Sequence, residues 1–187
     1  MEALARAVFL DRDGTLIRDT GHAFRPADIE LLDGVAAGLR RLQQAGYCLI
    51  VVTNQAGVAK GFFKEEDVFA MHRRLREILS REGVGIADFY YCPHHPDGSV
   101  PEYARRCDCR KPEPGLILRA SRERSIELRD SWLIGNGLTD VQAGQTAGCR
   151  TVLLGADADE ATEASLPPQT AVARNFAQAV EIILWSW

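Results

Sequence analysis

The sequence predicts an α/β fold, a doubly wound parallel sheet with helices on both faces. Three observations carry that expectation. Short apolar runs alternate with amphipathic stretches over most of the 187 residues. The runs are continuously apolar, as strands covered on both faces are. Residues suited to chemistry stand directly after these runs, where the ligand crevice of such sheets lies.

Taken in order, Arg6 to Leu10 reads as a short buried strand. Asp33 is a plausible N-cap for a helix that puts Val35, Leu39 and Leu42 on one face and ends at Gly46. Tyr47 to Val52 is β-branched and apolar, a second strand. Glu65 to Arg81 fits a helix, with Val68, Met71, Leu75, Ile78 and Leu79 inside and Arg73, Arg74 and Arg76 outside. Ile86 to Tyr91 is the third strand, after which periodicity stops until about Glu113. That gap is too long for a simple βα turn and implies function or a bound ion. Helices over Pro114 to Arg124 and Leu138 to Gly148 then flank a strand at Ser131 to Gly135, and Thr151 to Leu154 adds another strand. After the break at Pro167 and Pro168 come a short strand near Ala171 to Ala173 and a helix from Phe176 to Trp185. With no repeat or linker, residues 1–187 read as one domain.

Composition narrows the function. The chain carries 22 Lys and Arg against 26 Asp and Glu, a net charge of −4, which disfavours a nucleic-acid partner. No apolar run approaches the roughly 18 residues of a membrane span, and Asp11-Arg12-Asp13 comes too early for a signal peptide. A cytoplasmic protein without membrane partners is expected. A chain of this size buries on the order of 70% of its unfolded surface, so its core needs no staple. Five cysteines are an odd count for disulfides and fit metal ligands or nucleophiles in a reducing compartment.

Four strand ends carry the chemistry. Asp11-Arg12-Asp13-Gly14-Thr15 follows the first strand, its two carboxylates spaced to face one metal. Thr53-Asn54-Gln55 follows the second, Arg110-Lys111-Pro112 closes the cysteine-rich loop, and Gly135-Asn136-Gly137-Leu138-Thr139-Asp140 leads into a helix N-terminus. A nucleophilic carboxylate, a second carboxylate as acid and base, a hydroxyl and a lysine around one crevice suit phosphoryl transfer.

These segments resemble the haloacid dehalogenase superfamily of aspartate-nucleophile phosphatases, whose four motifs match Asp11 to Thr15, Thr53, Lys111, and Gly135 to Asp140. Within it, Asp11 to Leu16, Thr53 to Gln55, Tyr91 to Pro96 and Cys107 to Pro112 resemble the D-glycero-D-manno-heptose bisphosphate phosphatases. The resemblance implies a Rossmann-like domain with a short flap, a zinc-binding loop and no large cap domain. It also implies removal of the 7-phosphate from a small-molecule sugar bisphosphate, in the making of nucleotide-activated heptose. Asp11 is then the nucleophile and Asp13 the general acid and base. Mg²⁺ lies between Asp11, the Asp13 backbone carbonyl, the phosphate and Asn136, while Thr53 and Lys111 hold phosphoryl oxygens. Asn54, Gln55 and Arg110 contact the rest of the substrate, with Asp19, Thr20, Gly21 and His22 as the flap. A monomer is expected.

Cys92-x-His94 and Cys107-x-Cys109, 12 residues apart, offer three thiolates and one imidazole, a set suited to tetrahedral Zn²⁺ in a structural site. The resemblance also implies zinc. His95 is the competing ligand and reads as a loop residue. Because Cys109 directly precedes Arg110 and Lys111, the metal is expected to order the phosphate site without doing the chemistry. Cys48 and Cys149 read as core residues.

One position departs from the family. Asn136 stands where the resemblance leads one to expect Asp, and Gly137 where Lys often stands. The amide carbonyl still offers an oxygen, but the site lacks one negative charge and should hold Mg²⁺ less tightly, with Asp140 one turn later as possible support. Histidinol-phosphate phosphatases are the nearest rival, with a loop typically shorter between the ligand pairs. A polynucleotide 3′-phosphatase is disfavoured by the acidic balance, and a non-catalytic sugar-phosphate-binding protein has only Asn136 in its favour.

Overall fold

The computed structural model describes residues 5–19, 21, 25–155 and 166–186. Six strands, β1 (Ala7–Leu10), β2 (Cys48–Asn54), β3 (Asp88–Cys92), β4 (Trp132–Gly135), β5 (Arg150–Leu154) and β6 (Thr170–Ala173), pair in parallel in the order β3-β2-β1-β4-β5-β6. Among the described residues six α-helices accompany them: α1 (Val35–Gln44), α2 (Ala56–Ala59), α3 (Glu65–Arg81), α4 (Gly115–Arg124), α5 (Leu138–Ala147) and α6 (Phe176–Trp185).

The alternation of side chains along each strand divides the core. Val8 and Leu10 of β1 pack with Leu49 and Val51 of β2 under α1, α3 and α6, through Leu39, Leu75 and Val180. Ala7 and Phe9, with Ile50 and Val52, face the other way onto α4 and α5, through Ile117 and Ala143. The sheet is therefore covered on both faces, which explains why its strands read as uninterrupted apolar runs. The strand order turns back between β1 and β4, the switch point where such sheets open a ligand crevice.

One local reading changes. Asp33 does not cap α1: Gly34 takes the N-cap position at φ 78° with no side-chain cap. A left-handed turn there favours the residue without a Cβ, and the sequence supplies it one place later than expected. At the end of α6, Trp185 is 80% exposed, and its indole nitrogen donates to Glu181 Oε2 at 2.7 Å. Trp187 lies outside the described residues. Among those described, no helix is long and apolar enough to cross a membrane.

Candidate active site

The site grows from the end of β1. Asp11 still belongs to the sheet, its amide donating to Ile134 O at 2.9 Å, so its side chain leaves the strand at the switch point. The chain then turns tightly, with Arg12 O accepting from Leu16 N at 2.9 Å and Ile17 N at 3.1 Å. Gly14, at φ 76°, makes the turn possible in a second way: a Cβ there would stand 2.2 Å from Asn136 Nδ2. The loops after β1 and β4 meet because that position has no side chain.

Lys111 joins three segments. Its Nζ lies 2.7 Å from Asp11 Oδ1 and 2.6 Å from Asp140 Oδ1, and donates to Val52 O at 2.9 Å. All three charged groups are buried. Burial works against the lysine charge, but Asp11 and Asp140 outweigh it and hold its pKa above the ordinary value. Burial also pushes Asp11 up to about 6, against the pull of Lys111, with Asp140 and Asp13 adding to the rise. Lys111 thus serves two buried carboxylates at once. Asp140 is fixed as well, its Oδ2 accepting from Gly137 N at 3.0 Å at the start of α5.

Asp13 is held by a separate set. Buried Arg12 grips it with two bonds, Nε to Oδ1 at 3.1 Å and Nη2 to Oδ2 at 2.9 Å. Gln55 Nε2 donates to Asp13 Oδ2 at 2.9 Å and to Thr53 Oγ1 at 2.8 Å. Gln55, for which the resemblance implies substrate contact, is 3% exposed and links Asp13 to the Thr53 hydroxyl. Asn54 likewise turns to the protein. Its Nδ2 donates to Lys111 O and its Oδ1 accepts from Lys111 N, both at 3.0 Å, so it fixes the lysine backbone rather than reaching outward.

Arg110 is half-buried, its guanidinium 3.4 Å from His94 O. Of the flap, Asp19 and Gly21 are exposed, with Gly21 N donating to Asp19 Oδ1 at 2.8 Å; Thr20 and His22 lie outside the described residues. Asn136 is exposed at the crevice rim.

Cys92, His94, Cys107 and Cys109 converge, with one ligand atom from each lying within 4.8 Å of all the others. The Cys92 and Cys107 sulfurs are 3.5 Å apart, and His94 Nδ1 is 3.4 Å from Cys109 Sγ. Four soft donors at these spacings are compatible with Zn²⁺, whose Zn–S bonds of about 2.3 Å set ligand edges close to these values. Contacts with Cys92, His94 and Cys107 lower the Cys109 thiol to about 5, while Cys92 is raised by its bond to Cys109 and by burial. One thiolate is therefore favoured already. His95 stands apart from this set and accepts from Asp97 N at 3.1 Å. Cys149 is buried, and Cys48 only half so.

Three residues that make structural contacts are not singled out by the sequence. Arg12 sits between two acids after a strand and looks like a solvent residue, yet it is 2% exposed. His72 is buried on the inner stripe of α3, stacked on Phe89 at 4.7 Å. Its spacing of four from Val68 was the available signal. Glu65 ties the cysteine loop to α3 by accepting from Tyr91 Oη at 2.6 Å and Tyr103 Oη at 2.9 Å. Two tyrosines before and inside a loop gave no hint of that.

Comparison with known proteins agrees with this geometry. A HAD-hydrolase-like family model matches residues 108–179. The chain is 44% identical over 148 residues to D-glycero-beta-D-manno-heptose-1,7-bisphosphate 7-phosphatase of Photorhabdus laumondii, covering 79% of each. It is 38% identical over 161 residues to the D-glycero-alpha-D-manno-heptose-1,7-bisphosphate 7-phosphatase of the same organism, covering 84% of this chain and 88% of that one. Among solved structures it resembles D,D-heptose 1,7-bisphosphate phosphatase from B. bronchiseptica, complexed with magnesium and phosphate. The TM-score there is 0.83 at 30% identity, with 97% of this chain and 99% of the other covered.

Proposed function

The chain belongs to the haloacid dehalogenase-like hydrolases, and from that premise we propose that it is a Mg²⁺-dependent phosphatase that removes the 7-phosphate of D-glycero-D-manno-heptose 1,7-bisphosphate. The observation that carries the reading is the buried Lys111, clamped between Asp11 and Asp140 beside Asp13 at the switch point of the sheet. A site for moving a phosphoryl group needs a fixed nucleophile, a fixed cation and a proton carrier, and those three stand here.

The carboxylate of Asp11 attacks phosphorus and the bond from phosphorus to the sugar oxygen breaks. Asp13 gives that oxygen its proton. Water then attacks the aspartyl-phosphate, Asp13 takes the proton from the water, and the bond to Asp11 breaks to free phosphate and the enzyme. Lys111 and Thr53 hold phosphoryl oxygens, and Arg110 faces the second phosphate, where a planar guanidinium grips two oxygens. Arg12 and Gln55 keep Asp13 in place between the two proton transfers. Asp11, the Asp13 backbone carbonyl and Asn136 are hard oxygen donors on the two loops that meet at Gly14, a set that fits Mg²⁺. Bound there, the ion would supply positive charge beside buried Asp11. Zn²⁺ in the cysteine cluster would order Arg110 and Lys111 from one residue away. The chain acts as one domain over residues 1–187, as a cytoplasmic monomer.

The test is phosphate release from both anomers of the heptose bisphosphate, fructose 1,6-bisphosphate and histidinol phosphate, with Asp11→Asn as control. A heptose bisphosphate should be the best substrate. Histidinol phosphate in that place overturns the substrate assignment, turnover in the control overturns the nucleophile, and binding without turnover at high Mg²⁺ overturns the enzyme.

A further inference from the structure

Asn136 differs from the other two asparagines of the chain in each property that governs attack of backbone nitrogen on a side-chain amide. Asn54 precedes Gln55, and its amide is held at both ends by Lys111 backbone at 3.0 Å. Asn175 precedes Phe176, and its Oδ1 caps α6 by accepting from Gln178 N at 2.9 Å. Asn136 is exposed, and none of the hydrogen bonds found among the described residues involves its side chain. It precedes Gly137, whose nitrogen no Cβ shields. That N–H already points at a carboxylate, Asp140 Oδ2 at 3.0 Å, whose other oxygen pairs with Lys111.

We propose that Asn136 is a modification site that deamidates in the folded protein, and that the new carboxylate completes the Mg²⁺ site. The second half rests on the phosphatase reading above. Gly137 nitrogen bonds to Cγ of Asn136, and its proton is taken up at Asp140. The Cγ–Nδ2 bond breaks and Nδ2 leaves as ammonia with that proton, giving a cyclic imide. One water adds at Cγ and breaks the Cγ–N bond, which restores the backbone and leaves an aspartate. The pairing of Gly135 in β4 and the capping contact of Gly137 favour this opening over attack at the main-chain carbonyl, which would lengthen the backbone by one carbon. The product carboxylate lies against Gly14, in the turn that carries Asp11 and Asp13, where Asn136 Nδ2 now stands 2.2 Å from the place of a Cβ. It adds a charged oxygen donor to an edge whose existing acids are Asp11, Asp13 and Asp140.

The experiment ages fresh full-length protein at neutral pH in heavy-oxygen water and weighs the peptides that contain the three asparagines. The Asn136 peptide should gain the mass of deamidation and the label, with Asn54 and Asn175 unchanged. Gly137→Ala should lose that gain over the same interval. Its Cβ meets nothing closer than 3.4 Å, and Gly137 has an extended backbone, so the variant keeps its fold. The Mg²⁺ concentration for half-activity should fall on ageing toward that of Asn136→Asp, about tenfold below the fresh protein. No gain at 136, a gain seen only after denaturation, or isoaspartate as the main product overturns the modification. An unchanged Mg²⁺ requirement after complete deamidation overturns its role. Mass is read without turnover, so an inactive protein that deamidates sinks the phosphatase reading and leaves the modification standing.

Discussion

The two sides of the crevice are held by different means. On the strand side, Asp11 is placed by the sheet itself, through its own backbone bond to Ile134 O, and Asp140 by the first turn of α5. On the loop side, Arg110 and Lys111 end a stretch with no helix or strand between Cys92 and Gly115. That stretch is fastened from outside, by the cysteine cluster at Cys109, by Asn54 on the Lys111 backbone and by Glu65 on two tyrosines. Regular structure positions a side chain as a by-product of its own hydrogen bonds. Irregular backbone needs added contacts to reach the same accuracy. Lys111 is a point where the two sides join.

The largest expected effect comes from cutting that joint. Lys111→Met leaves Asp11 and Asp140 buried without their cation, and breaking a buried ion network costs about 3 kcal/mol or more. Denaturant titration should register that loss, and phosphate release should fall about a thousandfold. Unchanged stability would mean that the two sides are independent. Next in size is the outer fastening. Cys109→Ser, or zinc removal by a strong chelator followed by Mg²⁺ repletion, should lower Tm and raise KM about tenfold or more. Unchanged KM and Tm would show that the loop orders itself and would erase the contrast.

The effect that is smallest per pH unit concerns His72 on α3. Burial keeps His72 neutral, with its pKa lowered to about 3, and the nearby charges of Arg12 and Arg76 act in the same direction. The unfolded chain takes up that proton below 6.5 and the folded one does not. Stability is therefore full above 6.5 and declines as pH falls toward 3, by about 1.4 kcal/mol per pH unit. Subtracting the stability curve of His72→Leu from that of the wild type should isolate this slope. An equal slope in both would place the acid sensitivity elsewhere, in the carboxylates around Lys111.

Much of this organisation was legible because it is periodic or local. The bounds of α3 follow from its apolar stripe, and the four motif segments follow from their places after strands. The cap of α1 is not legible at Asp33, because Asp is a good cap in general while the choice at this turn depends on a left-handed backbone at Gly34. For Gln55 and Asn54 the resemblance implies substrate contact, and the fold adds protein partners to both. Which way each amide turns depends on Asp13 and Lys111, 42 and 57 residues away in sequence. The cation that grips Asp13 was hidden for a related reason. Arg after a strand reads as solvent-facing, and only the folded turn shows it buried beneath the acid it holds.

The span between Lys111 and Asp11 has a kinetic consequence. The contact joins residues 100 apart in sequence, and Asp140 enters it from a third segment. Such a contact forms late, once the intervening chain has condensed. Recovery of phosphate release during refolding would therefore time the closing of this 100-residue loop, with helical signal from α3 returning before it. The site doubles as a clock for a late step of its own assembly.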